Sequence, residues 1–152
     1  MITIHLTTLI NAPIETCFDL ARSIEVHQQS TARTNEKAIA GRTSGLCEAG
    51  DIITWQATHF GIRQKLTVKI TKMNRPYSFE DEMVKGAFSS MKHIHTFTTK
   101  SNQTLMTDQF SFGAPLGILG TLAEKLVLKK YMTTFLIERN AMIKSLAETQ
   151  IK

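Results

Sequence analysis

The sequence predicts an α+β fold: a curved antiparallel sheet of about seven strands gripping one long C-terminal helix, with a short helix pair after strand one. Three observations predict it. From about Leu116 to Lys152 the chain carries Leu119, Leu122, Ala123, Leu126, Val127, Leu128, Tyr131, Met132, Phe135, Leu136, Ile137, Met142, Ile143 and Leu146, with no glycine after Gly120. At 100° per residue this set covers far more than a third of a helix circumference, so the helix needs a concave surface to bury it. Ahead of it lies a succession of short alternating segments, and only one stretch among them has helical spacing. Strands first and one late helix argue for an antiparallel sheet, and a helix this apolar requires that sheet to curl.

The elements follow in order. Ile2, Ile4, Leu6 and Thr8 alternate with Thr3, His5, Thr7 and Leu9, the pattern of a first strand with one buried face. Asn11-Ala12-Pro13 stops it and starts a helix, with Asn11 as the expected cap and Pro13 in the first turn. Ile14, Cys17, Phe18 and Ala21 follow at spacings of three and four, and Ile24 to Gln29 completes the helix pair.

Glu36 to Gly41 is the second expected strand, and Gly41, Gly45 and Gly50 mark a loop after it. Asp51 to Phe60 places Ile53, Trp55, Ala57 and His59 on one side, and Gly61 turns the chain back. Arg63 to Met73 sets Leu66, Val68 and Ile70 against Lys65, Thr67 and Lys69, a half-solvated antiparallel partner. Asn74-Arg75-Pro76 breaks the run. Tyr77 to Val84, Phe88 to Thr99 and Thr104 to Phe112 supply the last strands, and Pro115-Leu116-Gly117 leads into the helix. On that helix the charges of Lys125, Lys129, Lys130, Glu138, Arg139 and Lys144 are expected to crowd onto a solvent-facing arc. No repeat, linker or second composition interrupts residues 1–152, so one domain is expected.

Composition excludes several classes. The net charge of +5 is spread along the chain with no run of five basic residues, which argues for solubility and against a nucleic-acid footprint. Two cysteines, Cys17 and Cys47, are too few for a disulfide framework, and Cys17 sits on an inner helix face as a free thiol. No apolar run of 18 residues and no basic leader are present, so neither membrane insertion nor export is expected, and the cytoplasm is the default. No Walker loop, G-x-G-x-x-G, G-x-S-x-G or H-E-x-x-H occurs, and no cofactor or metal is expected on motif grounds.

Same-parity residues share a strand face. Taking the large apolar residues as inward, one face holds Tyr77, Phe79, Asp81 and Met83; the next Met91, His93, His95 and Phe97; the last Met106, Asp108, Phe110 and Phe112. An earlier strand adds Trp55 and His59. The inward set therefore mixes aromatics and methionines with His59, Asp81, His93, His95 and Asp108. A plain core would not choose these, because an unpaired buried polar group costs about 1–3 kcal/mol. That excess argues for a cavity between sheet and helix.

Three readings share these residues. The histidines pair with the aspartates across neighbouring strands and merely brace the sheet. Or they orient the polar atoms of a small hydrophobic or amphipathic ligand, with Trp55, Phe79, Met83, Met91, Met106 and Phe110 supplying area and Leu122 and Leu126 joining from the helix. Or His93, His95 and Asp108 are catalytic, one histidine acting as general base with an aspartate to orient it. The same H-x-H pair, two imidazoles about 7 Å apart on one face, is also the beginning of a non-haem iron or zinc site. Ligand entrance would need the Gly41 to Gly50 segment to move. Surplus apolar arc at Leu128, Phe135 or Ile137 allows a homodimer.

Several local motifs resemble the SRPBCC superfamily, the START-like or helix-grip fold whose members include polyketide cyclases, lipid-transfer START domains and the birch-pollen allergen family. The carrying residues are the opening strand into Asn11-Ala12-Pro13-Ile14-Glu15 with Phe18, the run Gly50 to Trp55, Arg75-Pro76 with Phe79-Glu80-Asp81, and Pro115-Leu116-Gly117. Met83-x-x-Gly86-x-Phe88, His93-x-His95-x-Phe97 and Thr104 to Asp108 are similar to a bacterial cyclase-like branch. The resemblance implies a pocket between sheet and long helix. It transfers no catalytic residue.

Overall fold

Alternating side chains make β1 (Ile2–Ile10), from which the chain runs through α1 (Ile14–Ala21), α2 (Ile24–Ser30) and a 3-10 turn (Ala32–Thr34). Then come β2 (Lys37–Gly41), β3 (Ile52–His59), β4 (Ile62–Asn74), β5 (Ser78–Gly86), β6 (Met91–Lys100), β7 (Gln103–Phe112) and α3 (Leu122–Thr149). The computed structural model describes residues 1–114 and 122–150. The Pro115-Leu116-Gly117 lead-in and the expected first residues of the long helix lie outside the described residues.

The strands form one seven-stranded sheet in the order β1-β7-β6-β5-β4-β3-β2, antiparallel at every pairing. β2 to β7 meander, β1 pairs with β7, and the α1–α2 stretch carries the chain between the two edges. Register shifts at Ala38/Ala40, Thr67/Val68 and Ile70/Lys72 bend the β2 to β5 half. The α+β helix-grip architecture expected from the pattern is the one observed.

Two features at the turns differ from expectation. Pro13, not Asn11, immediately precedes α1 and makes no side-chain cap; Asn11 instead donates its backbone N–H to Glu148 Oε2 of α3 at 2.9 Å. Tyr77 belongs to the turn before β5 and is exposed rather than inward.

α3 is gripped from about Leu128 onward. The first two turns lie open, with Leu122 and Leu126 exposed by 74% and 58%. Burial then follows one stripe: Met132, Leu136, Arg139, Asn140, Ile143 and Ala147. Those spacings of three and four are the ordinary core seam of a helix. Arg139 is therefore not on the solvent arc with the other charges, and it faces the sheet. Of the three residues whose apolar surplus suggested a homodimer, Leu128 and Phe135 pack against the core and Ile137 stays exposed, as do Leu122, Leu126 and Val127.

The interior divides in two. Toward the first half of α3, Ile24, Ile53, Trp55, Val68, Ile70, Met91, Phe110, Met132 and Leu136 form a cluster that surrounds open space. Toward its second half, Ile10, Cys17, Phe18, Phe79, Phe97, Met106, Ile143 and Ala147 form the other cluster. The Gly41 to Gly50 segment, expected to move for ligand entry, is hydrogen-bonded to its neighbours. Ile24 N–H reaches Gly45 O, Cys47 N–H reaches Arg22 O, and Gly50 N–H reaches Ile70 O, at 2.8–3.0 Å.

Candidate functional site

Between sheet and α3 lies a cavity of about 520 Å³, within the range of about 300–1,000 Å³ typical of small-molecule sites. Eight of the thirteen expected residues line it: Trp55, His59, Phe79, Asp81, Met91, His93, His95 and Phe110. The other five do not. Met83 packs against the surrounding cluster, Met106 belongs to the second cluster, and Asp108 lies wholly buried behind the histidines. Leu122 and Leu126 are exposed on the open first turns of α3, and from that helix Leu128, Tyr131, Met132, Phe135, Leu136 and Arg139 line the cavity in their place.

The polar floor comes from β5, β6 and β7. In register, Asp81 stands opposite His93 and His95 opposite Asp108. The hydrogen bonds instead run along the diagonals: His93 Nε2 to Asp108 Oδ1 at 2.7 Å and His95 Nε2 to Asp81 Oδ1 at 2.8 Å. The imidazoles stack on each other at 3.7 Å, Phe79 stacks on His95 at 4.0 Å, and Phe110 meets His93 edge-on at 5.1 Å. Aromatic faces thus clamp the pair while the aspartates set the ring rotation.

From the other side, Arg139 Nη1 donates to Asp108 Oδ1 at 3.3 Å and to Asn140 Oδ1 at 2.8 Å. Its Nη2 reaches His95 Nδ1 at 3.4 Å and Ala21 O at 3.5 Å. Asn140 Nδ2 donates to Asp108 Oδ2 at 2.7 Å. Burial acts to raise the Asp108 carboxyl, but the His93 hydrogen bond and the Arg139 charge hold it well below the carboxylate range. Asp81 is likewise lowered, by the His95 bond and the neighbouring charges working against burial. Burial, then the adjacent His93, pushes His95 down to about 4, so it is neutral near pH 7.

These states assign the protons. A carboxylate only accepts, so both Nε2 atoms carry hydrogen, and a guanidinium only donates, so His95 Nδ1 accepts. His95 has both nitrogens engaged. His93 has one in use, and its Nδ1 has no hydrogen-bond partner among the described residues.

Two further pairs decorate the wall. His59 Nδ1 and Tyr131 Oη lie 2.6 Å apart, tying the end of β3 to α3. His27 lies tilted against Trp55 at 4.1 Å and bonds the buried Glu36 at 2.7 Å. Phe60, exposed and set over Tyr131 at 4.5 Å, and the exposed Lys65 mark the open side of the cavity. Asp81, His93 and His95 are the one group among the described residues with donor atoms close enough, within 4.8 Å, to hold a metal. The two facts against it are local: His95 Nε2 and Asp81 already bond each other, and the Arg139 guanidinium sits against His95.

Sequence reasoning missed Arg139, Asn140, His27, Glu36 and Tyr131. For Arg139 the signal was present, because it falls on the stripe Met132, Leu136, Ile143 and Ala147. Glu36 carries no local signal at all.

No protein-family model matches the chain, and no curated protein matches it. Solved structures match over nearly its full length. The Zhui aromatase/cyclase from Streptomyces sp. R1128 superposes with a TM-score of 0.75 at 12% identity, covering 99% of this chain and 96% of that one. A START superfamily protein from Mycobacterium smegmatis gives 0.74 at 12% identity, with 97% and 98% covered. The major latex-like protein 151 from Panax ginseng gives 0.67 at 15% identity, with 95% and 96% covered. At such identities the likeness is one of fold, and that fold is the START-like helix grip.

Proposed function

We propose that this protein encloses a small hydrophobic or amphipathic molecule in the cavity between its sheet and α3. The observation that carries the reading is the hollow itself: about 520 Å³ walled mainly by apolar side chains, with an ordered polar floor at one end. A sheet and helix built only for stability would close around such a volume, because each buried group facing a void loses its packing contacts. The fold's occurrence in a START superfamily protein and an aromatase/cyclase supports the reading. Among the described residues no helix is long and apolar enough to cross a membrane, and an aqueous, cytoplasmic carrier or binder is the setting proposed.

Trp55, the single tryptophan, lines the cavity and provides a reporter. Titration with N-phenyl-1-naphthylamine, an uncharged fluorescent probe, is expected to quench Trp55 with saturable stoichiometry. Ala57→Trp fills the cavity from β3 and is expected to weaken the probe by about tenfold or more, with circular dichroism unchanged. Equal probe affinity in the two proteins would sink the reading. Native mass spectrometry of protein from its own host then identifies any retained molecule.

A second reading has one specific observation behind it. His93 is held by an anionic Asp108 through Nε2, the arrangement that presents the other nitrogen as a general base. On that reading the bound molecule is turned over, in a cyclase- or dehydratase-type proton abstraction. Loss of a detectable reaction in His93→Gln with probe affinity intact would favour it over binding alone.

A further inference from the structure

The cavity floor offers lone pairs to a ligand rather than hydrogens. His93, only 6% exposed and part of the cavity wall, keeps Nδ1 without a partner. Asp81, also on the wall, spends Oδ1 on His95 and leaves Oδ2 unbonded. The terminal hydrogens of Arg139 are committed elsewhere: Nη1 donates to Asp108 and Asn140, and Nη2 to Ala21 and His95. The Asn140 amide goes to Asp108. Two carboxylates, Asp81 and Asp108, share one guanidinium at the floor, that of Arg139.

Resting on the reading of this cavity as a ligand site, we infer that it selects apolar molecules whose polar end is a hydrogen-bond donor, O–H or N–H, with His93 Nδ1 and Asp81 Oδ2 as acceptors. Carboxylates are disfavoured. An incoming carboxylate meets two lone pairs and a like charge in a low-dielectric site, whereas a hydroxyl or amine donates to acceptors that have no partner within the protein.

Equilibrium dialysis at pH 8.5, where an imidazole is neutral, against 2-naphthol, 2-naphthylmethylamine, 2-naphthoate and naphthalene tests this with one ring system. The expected order places 2-naphthol about tenfold or more above both naphthalene and 2-naphthoate. His93→Phe, which keeps ring area and removes the lone pair, is expected to bring 2-naphthol down to the naphthalene level, and His93→Gln, which restores an acceptor, to recover part of the difference. The amine binding above 2-naphthol would also support the inference and would assign the donor to N–H rather than O–H. Should His93→Phe fail to fold, the comparison of ligands on the unaltered protein still decides. Naphthalene bound with no preference for 2-naphthol, or 2-naphthoate bound as tightly, overturns the inference while leaving the cavity reading intact. So does 2-naphthoate binding that appears with Zn²⁺ and vanishes with EDTA, which would make the same atoms a metal centre. No binding of any of the four overturns both.

Discussion

Asp108 is the residue on which the polar floor turns. It accepts from His93, Arg139 and Asn140 with no water contact, so its removal strands a cation and an imidazole in the interior. Asp108→Asn is expected to cost about 3–5 kcal/mol in urea unfolding, because breaking one side of a buried ion pair leaves the other uncompensated. The double change with Arg139→Met is expected to cost less than the sum of the two singles, since the partners share one interaction. Acid sensitivity follows from His95, which is faced by Asp81, His93, Asp108 and Arg139 and packed on Phe79. Its folded value of about 4 lies below the ordinary 6.5, so below pH 6.5 the unfolded chain binds a proton that the folded one refuses. Stability is therefore full above pH 6.5 and falls as pH drops toward 4, by about 3 kcal/mol from this group. Urea midpoints at pH 7.5, 5.5 and 4.5 measure the slope; a flat profile over that window would contradict a buried neutral His95.

At the scale of elements, the β3–β4 turn is where local preference gives way. A two-residue hairpin loop of this kind needs positive φ at both central positions, which favours asparagine or glycine at the first. Here Phe60 has φ 54° and Gly61 has φ 74°. A bulky side chain in that region costs about 1–3 kcal/mol and persists where something else holds it. What holds Phe60 is Tyr131 of α3, whose hydroxyl in turn bonds His59. The contact bridges the open side of the cavity. Phe60→Asn is expected to raise stability by up to about 1 kcal/mol through relief of that strain, while speeding probe association and dissociation together in stopped-flow fluorescence. Unchanged exchange rates would show that the turn does not limit access. The opening turns of α3 are the converse case: their leucines look like core by composition, yet Leu122 and Leu126 stand exposed to solvent.

For the whole molecule, a cavity this large makes stability depend on what fills it. A ligand that binds the folded state alone adds about 2.7 kcal/mol at a hundred times its dissociation constant, so saturating N-phenyl-1-naphthylamine is expected to raise the thermal midpoint of the native protein and not that of Ala57→Trp. The division between sequence and tertiary structure follows from the range of the forces involved. Alternation along Ile2 to Ile10, Ile52 to His59 and Met91 to Phe112, together with the apolar length after Gly120, determined the strands, their hairpin order, the inward parity of His93, His95, Asp81 and Asp108, and the α+β helix grip, because period and turn chemistry are local properties. Diagonal rather than direct His–Asp pairing, Arg139 beneath the sheet, Asp108 behind the histidines instead of on the cavity wall, and the replacement of Leu122 and Leu126 by Leu128 and Tyr131 were decided only in three dimensions. They depend on how far α3 slides along the sheet and how two strands offset their side chains, and a chain's own periodicity sets a face but not the partner that meets it.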